Sequence, residues 1–441
     1  MIEHLISGGS TLVPMKSGLD RVAPPLTKKP LLLGAAQTKF TGGKERTKTL
    51  RDLAGEAATE AMAQAGMNVE DVDLLVVSQA LGALVLGQAH ANPLIADYLG
   101  LGNVPSLRVE TACASGSVAA HLAIQAIESG WADNVLVVGT EVMSGISTQR
   151  VQEVISAGGD ATYEVPVGAT FPGLYAMIGT RVIHEQAGGD FDEGMKCLAH
   201  VALKNHRNAQ FNPKAQFPFT IESLAQRRGF DDVWEFLDSK FNPPVSWPLR
   251  LFDCSPTTDG AAACVVSAGD AAASFSGHSK ALEFVASAQA TGNLPLCFAP
   301  TLTSLPAARL AARAAYHRAG IPDEPEAIRK RVSVAEVHDC FTSAEVVALG
   351  DLNLFPRSET LQAAKDGKTA PGGDVPVNTS GGLKAKGHPI AATGIAQLVT
   401  LREQVLGEVA REVRVDDVDL AVAHNVGGTG GTACVNVLRR A

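Results

Sequence analysis

What most constrains the fold of this chain is a rhythm. Apolar, β-rich runs at residues 30–40, 71–80, 106–110, 133–140 and 259–267 alternate with helical patterns at 49–66 and 113–130. Strands separated by helices of this length read as βαβ units, whose crossover helices cover both faces of a parallel sheet and leave its strands apolar throughout. Runs such as Leu74-Leu75-Val76-Val77 and Val135-Leu136-Val137-Val138 have that texture. The region 281–441 repeats the rhythm, with strands expected near 281–290, 332–338, 419–424 and 432–438 and helices near 303–319, 342–352 and 388–406. Between the two lies 145–250, richer in Asn, Gln, Phe, Trp and Pro and poorer in periodicity, which reads as an inserted loop domain. The expected organisation is an N-terminal extension over 1–29, a first α/β half over 30–144 plus 251–275, the loop domain over 145–250, and a second half over 276–441.

Composition excludes several classes. With 46% hydrophobic and 19% charged residues, a chain of 441 residues has ample material for a packed core and is neither disordered nor fibrous. The balance of 37 basic against 46 acidic residues gives a net charge of −9 without a basic run, so no nucleic-acid partner and no anionic membrane surface has an electrostatic footprint here. No stretch approaches 18 uninterrupted apolar residues, so no membrane span is expected. The 7 cysteines form no CxxC pair, which points away from a zinc or disulfide framework and toward a reducing compartment. Glu3, Asp20 and the scarcity of arginine make the extension a poor amphipathic import sequence, and the C-terminal Leu-Arg-Arg-Ala is not a peroxisomal tripeptide. A mitochondrial location is the expectation, with a peroxisome-like organelle or the cytoplasm as alternatives.

Chemistry concentrates at strand ends. Cys113, in Glu110-Thr111-Ala112-Cys113-Ala114-Ser115-Gly116, stands where a β-like run gives way to an Ala-rich helical pattern. The first turn of a helix offers unpaired N–H groups and the positive end of the macrodipole, which push a thiol toward thiolate. A buried core cysteine is the bland alternative, and this segment alone leaves both readings open. The stretch from Cys113 is echoed by Gly387-His388-Pro389-Ile390-Ala391-Ala392-Thr393-Gly394, so each half places a reactive side chain at a helix start. Packing the duplicated helices face to face would bring Cys113 and His388 together at the sheet ends, where open α/β sheets bind ligands. Pro389 is expected at the first helical position. His338-Asp339-Cys340-Phe341, Asn378-Thr379-Ser380-Gly381-Gly382 and His424-Asn425-Val426-Gly427-Gly428 also end strands. A thiol at 340 can exchange protons, and the glycines after 426 let backbone N–H groups approach a ligand. A tight turn explains that glycine run equally well.

Taken together, the Cys113 segment, the Asn378…Gly387-His388-Pro389 segment and the terminal glycine turn resemble the thiolase family in order and spacing, from about residue 30 to the end. His338-Asp339-Cys340-Phe341 with His424-Asn425 is similar to the sterol-carrier-protein type rather than to thiolases that carry Asn-Glu-Ala-Phe and a second cysteine at these places. Asn425 stands where that cysteine would be. The resemblance implies an α/β thiolase fold: two similar βαβαβαββ halves in a five-layer αβαβα arrangement, assembled as a homodimer. It implies thiolytic cleavage of a 3-oxoacyl-CoA by CoA, reversible as a Claisen condensation, to acetyl-CoA or propionyl-CoA and a shortened acyl-CoA. CoA is then a substrate, and no cofactor and no metal is expected. Cys113 is the implied nucleophile and His388 its proton acceptor. His388 and a water positioned by His338 are implied to hold the enolate oxygen, backbone N–H groups of Cys113 and Gly427 to hold the acyl oxygen, Cys340 to act as second acid and base, and Asn425 to support. Ser255 matches a pantetheine-contacting serine, while Lys204, His206 and Arg207 are candidate CoA-phosphate contacts, with a solvated helix face as the alternative. A decarboxylating ketoacyl synthase and a catalytically idle CoA-binding scaffold remain as competing readings.

Overall fold

A computed structural model of the protein describes residues 24–43 and 47–441, so most of the expected N-terminal extension lies outside the described residues. Its last part is pinned to the first half, because the backbone N–H groups of Thr27 and Lys28 both donate to the Glu128 carboxylate. The first half runs β1 (Leu31–Gln37), α1 (Leu50–Ala65), β2 (Leu74–Ser78), α2 (Ala91–Leu99), β3 (Ser106–Val109), α3 (Ser115–Glu128) and β4 (Asn134–Glu141). The inserted region follows, with its main helices α4 (Thr148–Ser156), α5 (Phe171–Gln186) and α6 (Phe191–Ala209), and β5 (Gly260–Ser267) closes the half. The second half runs β6 (Leu282–Thr291), α7 (Pro306–Arg318), β7 (Val332–Glu336), α8 (Thr342–Asp351), α9 (Thr393–Val405), β8 (Leu420–Gly427) and β9 (Thr432–Arg440).

The strands lie in the order β3-β2-β4-β5-β1-β6-β9-β8-β7. β1 and β6 meet only where Leu31 and Leu32 pair with Glu283 and Leu282, so two sheets are joined at a corner. A parallel bridge from Ala335 to Val377 continues the second sheet past β7. Each half therefore places its strands in the same order, third, second, fourth, fifth, first, which is the duplication legible in the sequence. The sheets are mixed rather than parallel: β2 pairs parallel with β3 and β4, but β5 is antiparallel to both β4 and β1. In the second half the matching pair β8–β9 is a hairpin closed by the glycine turn, and a turn that short can only join antiparallel strands.

Five layers result. α1 and α2 cover the outer face of the first sheet, α3 and α9 fill the space between the sheets, and α7 and α8 cover the second sheet. The middle layer decides where the chemistry falls. A Cβ added to Gly116 would lie 2.8 Å from the Ala391 carbonyl oxygen, and one added to Gly394 would lie 2.2 Å from the Ser117 nitrogen. Bare glycines on both helices thus let the starts of α3 and α9 come into backbone contact, and the residues just before them, Cys113 and His388, face one another.

Candidate active site

Cys113 sits on a strained turn. Ala112 has φ +50°, a left-handed conformation uncommon outside glycine and asparagine. The turn is held from both sides: Glu110 accepts the Ala112 N–H at 2.7 Å, and Ser115 Oγ accepts the Thr111 N–H at 2.8 Å while donating to the Ala112 carbonyl at 2.6 Å. The expectation that the helix start drives this thiol toward thiolate does not hold. Burial pushes Cys113 up to about 12, and the Glu141 and Glu110 carboxylates push the same way, outweighing the opposing pull of the Gly428 and Cys113 N–H groups. The backbone N–H of Gly428, the neighbour of the Gly427 expected to hold the acyl oxygen, is the one aimed at the sulfur. Gly427 serves close packing, since a Cβ there would lie 2.3 Å from the Thr111 carbonyl oxygen.

His388 follows Gly387, whose φ is +115°, and its backbone N–H donates to Thr258 Oγ1 at 2.9 Å. Contrary to expectation, Pro389 is not the first helical residue. Residues 390–392 form a turn closed on the Pro389 carbonyl, and α9 starts at Thr393. That offset has a use. Thr393 Oγ1 lies 2.6 Å from His388 Nδ1 and donates its only hydrogen to the Pro389 carbonyl at 3.0 Å. The hydroxyl must therefore accept from Nδ1–H, which leaves the His388 Nε2 lone pair free as a base. Burial lowers His388 to about 3, so the ring is neutral at rest.

His338 has the opposite tautomer. The Asn425 amide N–H donates to its Nδ1 at 2.9 Å, so the proton resides on Nε2, a buried atom with no partner among the described residues. Burial, and then the nearness of His388, hold His338 well below the usual histidine range. The two rings stand edge to face with centroids 5.1 Å apart. Cys340 is buried beside them, its thiol raised by burial and by Cys113. Tyr175 borders it, stacked on Phe341 at 4.8 Å and donating its hydroxyl to the Gly428 carbonyl at 3.0 Å. Cys113, Cys340, His388, Tyr175, Gly428 and Ser255 all line one cavity of about 340 Å³.

A buried ionic network braces these segments. The Asp339 carboxylate accepts N–H groups of Leu383 and Lys384 at 2.7 and 3.4 Å, at the start of the single π turn Gly382–Lys386 that leads to His388. Glu345 accepts from the Asn378 amide at 2.8 Å and from Lys204 at 2.5 Å, and Ser380 donates to Glu336. Lys204 is thereby removed from the expected phosphate role: its ammonium is buried between Glu345 and the Val377 carbonyl. His206 is likewise turned inward, against the Phe219 carbonyl and the rings of Phe217 and Phe252. Of the three basic candidates only Arg207 reaches solvent, paired with Glu222 at 2.5 Å. Hydrophobic contact drew the polar stretch at 204–206 into the interior, which a local reading of charge cannot show. Gly428 lies in the glycine run expected to offer backbone N–H groups, whereas Thr393, Tyr175 and Glu141 were given no role from the sequence. Of these only Thr393, five residues after His388 at a helix start, carried a local signal.

Cys113, His338 and His388 offer ligating atoms that all lie within 4.8 Å of one another, the one such group among the described residues. No helix there is long and apolar enough to cross a membrane.

A cysteine facing two imidazoles, with backbone N–H groups at the sulfur, on a duplicated α/β fold is an arrangement chemically suited to cysteine-dependent acyl transfer. Comparison with known proteins gives the family. Residues 31–270 match the family described as thiolase, N-terminal domain, and residues 288–440 match thiolase C-terminal domain-like. The chain is 37% identical over 409 residues to an acetyl-CoA acetyltransferase of Methanothermobacter thermautotrophicus, covering 93% of this chain and 99% of that one. It is 29% identical over 433 residues to human sterol carrier protein 2, covering 94% of this chain and 73% of that one. The structure entitled Ltp2-ChsH2(DUF35) aldolase shares the fold at a TM-score of 0.74 and 22% identity, over 94% of this chain and 98% of that one. The chain belongs to the thiolase family and is an acyltransferase.

Proposed function

We propose that the protein cleaves 3-oxoacyl-CoA with CoA, giving acetyl-CoA or propionyl-CoA and a shortened acyl-CoA. The observation that carries this reading is the convergence of Cys113, His338 and His388, with Thr393 and Asn425 setting complementary tautomers. The resting pair is thiol and neutral imidazole, so ionisation accompanies attack: the sulfur adds to C3 as its proton passes to His388 Nε2. The Gly428 and Cys113 N–H groups stabilise the oxygen that becomes charged. When the C2–C3 bond breaks, its electron pair moves onto C2 and the thioester oxygen, which His338 Nε2–H and the protonated His388 receive. Cys340, held in its protonated form, delivers a proton to C2. It then takes the proton of the incoming CoA thiol, whose sulfur attacks the acyl group and releases Cys113, to which His388 returns its proton. These steps use no metal or redox cofactor.

Space supports the assignment. The 340 Å³ cavity holds Ser255 and Thr257 on the side expected for pantetheine, and a second cavity of about 250 Å³, lined by Ala80, Leu81, Leu84 and Ala157, adjoins Cys113 and leaves room for a retained acyl group. A buried thiol at 340 favours this reading over decarboxylating condensation, which needs no second proton carrier at that place. The test is intact-protein mass spectrometry with acetoacetyl-CoA in the absence of free CoA. An acetyl adduct mapped to Cys113 is expected; an adduct on another cysteine, or none, refutes the assignment.

A further inference from the structure

Three donor atoms of types that bind soft divalent metals converge on one point in this protein, and their surroundings are those of metal ligands. The sulfur and the two ring nitrogens lie within 4.8 Å of one another. Tetrahedral zinc, with bonds of about 2.0–2.3 Å, needs separations of roughly 3.5 Å, so inward movements of about 1 Å suffice. Each histidine already has its other nitrogen engaged: His388 Nδ1 by Thr393 Oγ1 at 2.6 Å and His338 Nδ1 by the Asn425 amide at 2.9 Å. Metal-bound histidines are oriented by such outer partners. The tautomers differ, and so do the consequences. His388 presents a bare Nε2, whereas His338 must move its Nε2 proton to reach the metal, which a flip of the Asn425 amide permits, because the Asn425 Oδ1 is buried without a partner among the described residues and can accept from Nδ1–H. The fourth position faces the 340 Å³ cavity and is open to water or a small ligand.

We propose that Cys113, His338 and His388 form a reversible inhibitory site for Zn²⁺. The thiol ionises on binding: Cys113–SH and Zn²⁺ give a Cys113–S–Zn bond and release one proton to solvent, with no change of oxidation state. The occupied site has its nucleophile and its base both coordinated, so acyl transfer stops until a chelator removes the metal.

Cobalt(II), alone and in place of zinc, is the probe for the full-length chain. The expected result is one equivalent bound per chain, with a thiolate-to-cobalt charge-transfer band and the intense visible bands of four-coordinate cobalt, and one proton released per metal. Cys113→Ser should abolish the charge-transfer band, and His338→Gln and His388→Gln should each weaken binding about 100-fold or more, since even loss of an outer partner costs 10- to 100-fold. Zn²⁺ should slow iodoacetamide labelling of wild-type Cys113 at least about tenfold while the exposed Cys297 still reacts, which keeps the test valid if a variant misfolds. No charge-transfer band, a band that survives Cys113→Ser, or unprotected Cys113 overturns the proposal. None of these readouts depends on which acyl-CoA is the substrate, so failure here and failure of the functional assignment are distinguishable.

Discussion

Thr393→Val tests the claim that a single hydroxyl prepares the catalytic base. Valine keeps the shape and the branching at the start of α9 and removes the acceptor of His388 Nδ1–H together with the hydroxyl's donation to the Pro389 carbonyl, which still accepts the Ala392 and Thr393 N–H groups. His388 is buried, so its ring then has two choices. It can keep the Nδ1 proton unsatisfied, at about 1–3 kcal/mol for a buried orphan donor, or move the proton to Nε2 and cease to be a base. Either way the competent form is disfavoured by that amount, and at 1.36 kcal/mol per factor of ten the acylation rate should fall roughly 5- to 150-fold. The loss belongs in kcat, because Thr393 does not line the cavity and substrate contacts are untouched. Thr393→Ser should restore most of the rate. Rapid-quench mass spectrometry of Cys113 acylation from acetoacetyl-CoA measures it, with circular dichroism to confirm the fold. A valine variant within twofold of wild type would show that something other than Thr393 sets the tautomer, and the assignment of His388 Nε2 as base would lose its support.

Other outcomes follow from the same geometry. Cys340→Ala should still become acylated at Cys113 from an activated thioester yet lose about 100-fold in thiolysis, and exchange of acetyl-CoA methyl protons with deuterated solvent should fall in parallel; unchanged exchange rules Cys340 out as the acid. Ala112→Gly relieves the φ of +50° but loosens the unfolded chain, so its stability should stay within about 1 kcal/mol of wild type, whereas the β-branched Ala112→Val should cost about 2 kcal/mol in urea denaturation. Acid should destabilise the fold. His206 and His388 are lowered to about 3 and His121 and His424 to about 4 by burial, so the unfolded chain takes up the extra protons, and stability that is full above about 6.5 is lost as pH falls toward 4. Glu141 and Asp339, raised to about 7, act in the opposite sense because their protonated forms favour the fold, and burial raises Asp253, Asp351 and Glu403 as well, so these five carboxyls offset part of the loss from the six lowered histidines, His200 and His338 included. Calorimetric Tm should therefore drop between pH 7 and pH 5, with a shallower slope in His424→Gln; a flat or rising Tm contradicts the balance.

Periodicity is a property of neighbours along the chain, and it placed the nine principal strands and the helices around them close to where they lie, together with the repeat that makes two halves. The junctions at Cys113 and His388 were equally legible, because glycine, proline and small residues mark the points where a strand hands over to a helix. Strand direction was not: β5 reads as apolar whichever way it runs, and only the connection before it decides that it lies antiparallel. The state of the site was not legible either. Whether Cys113 rests as thiol or thiolate depends on how much water the fold removes and on Glu141, 28 positions away in sequence, and the helix-start argument, local by nature, gave the wrong sign. Lys204 and His206 read as a solvent-facing basic cluster until the second half supplied Glu345 and the Val377 carbonyl to Lys204, and the inserted region together with Phe252 closed the Phe219 carbonyl and aromatic rings around His206. Which groups carry the chemistry is written in short stretches of chain. Their protonation and most of their partners come from desolvation and from contacts between segments far apart in the chain, which exist only in the folded protein, whereas the His388 tautomer is set by Thr393 five residues away.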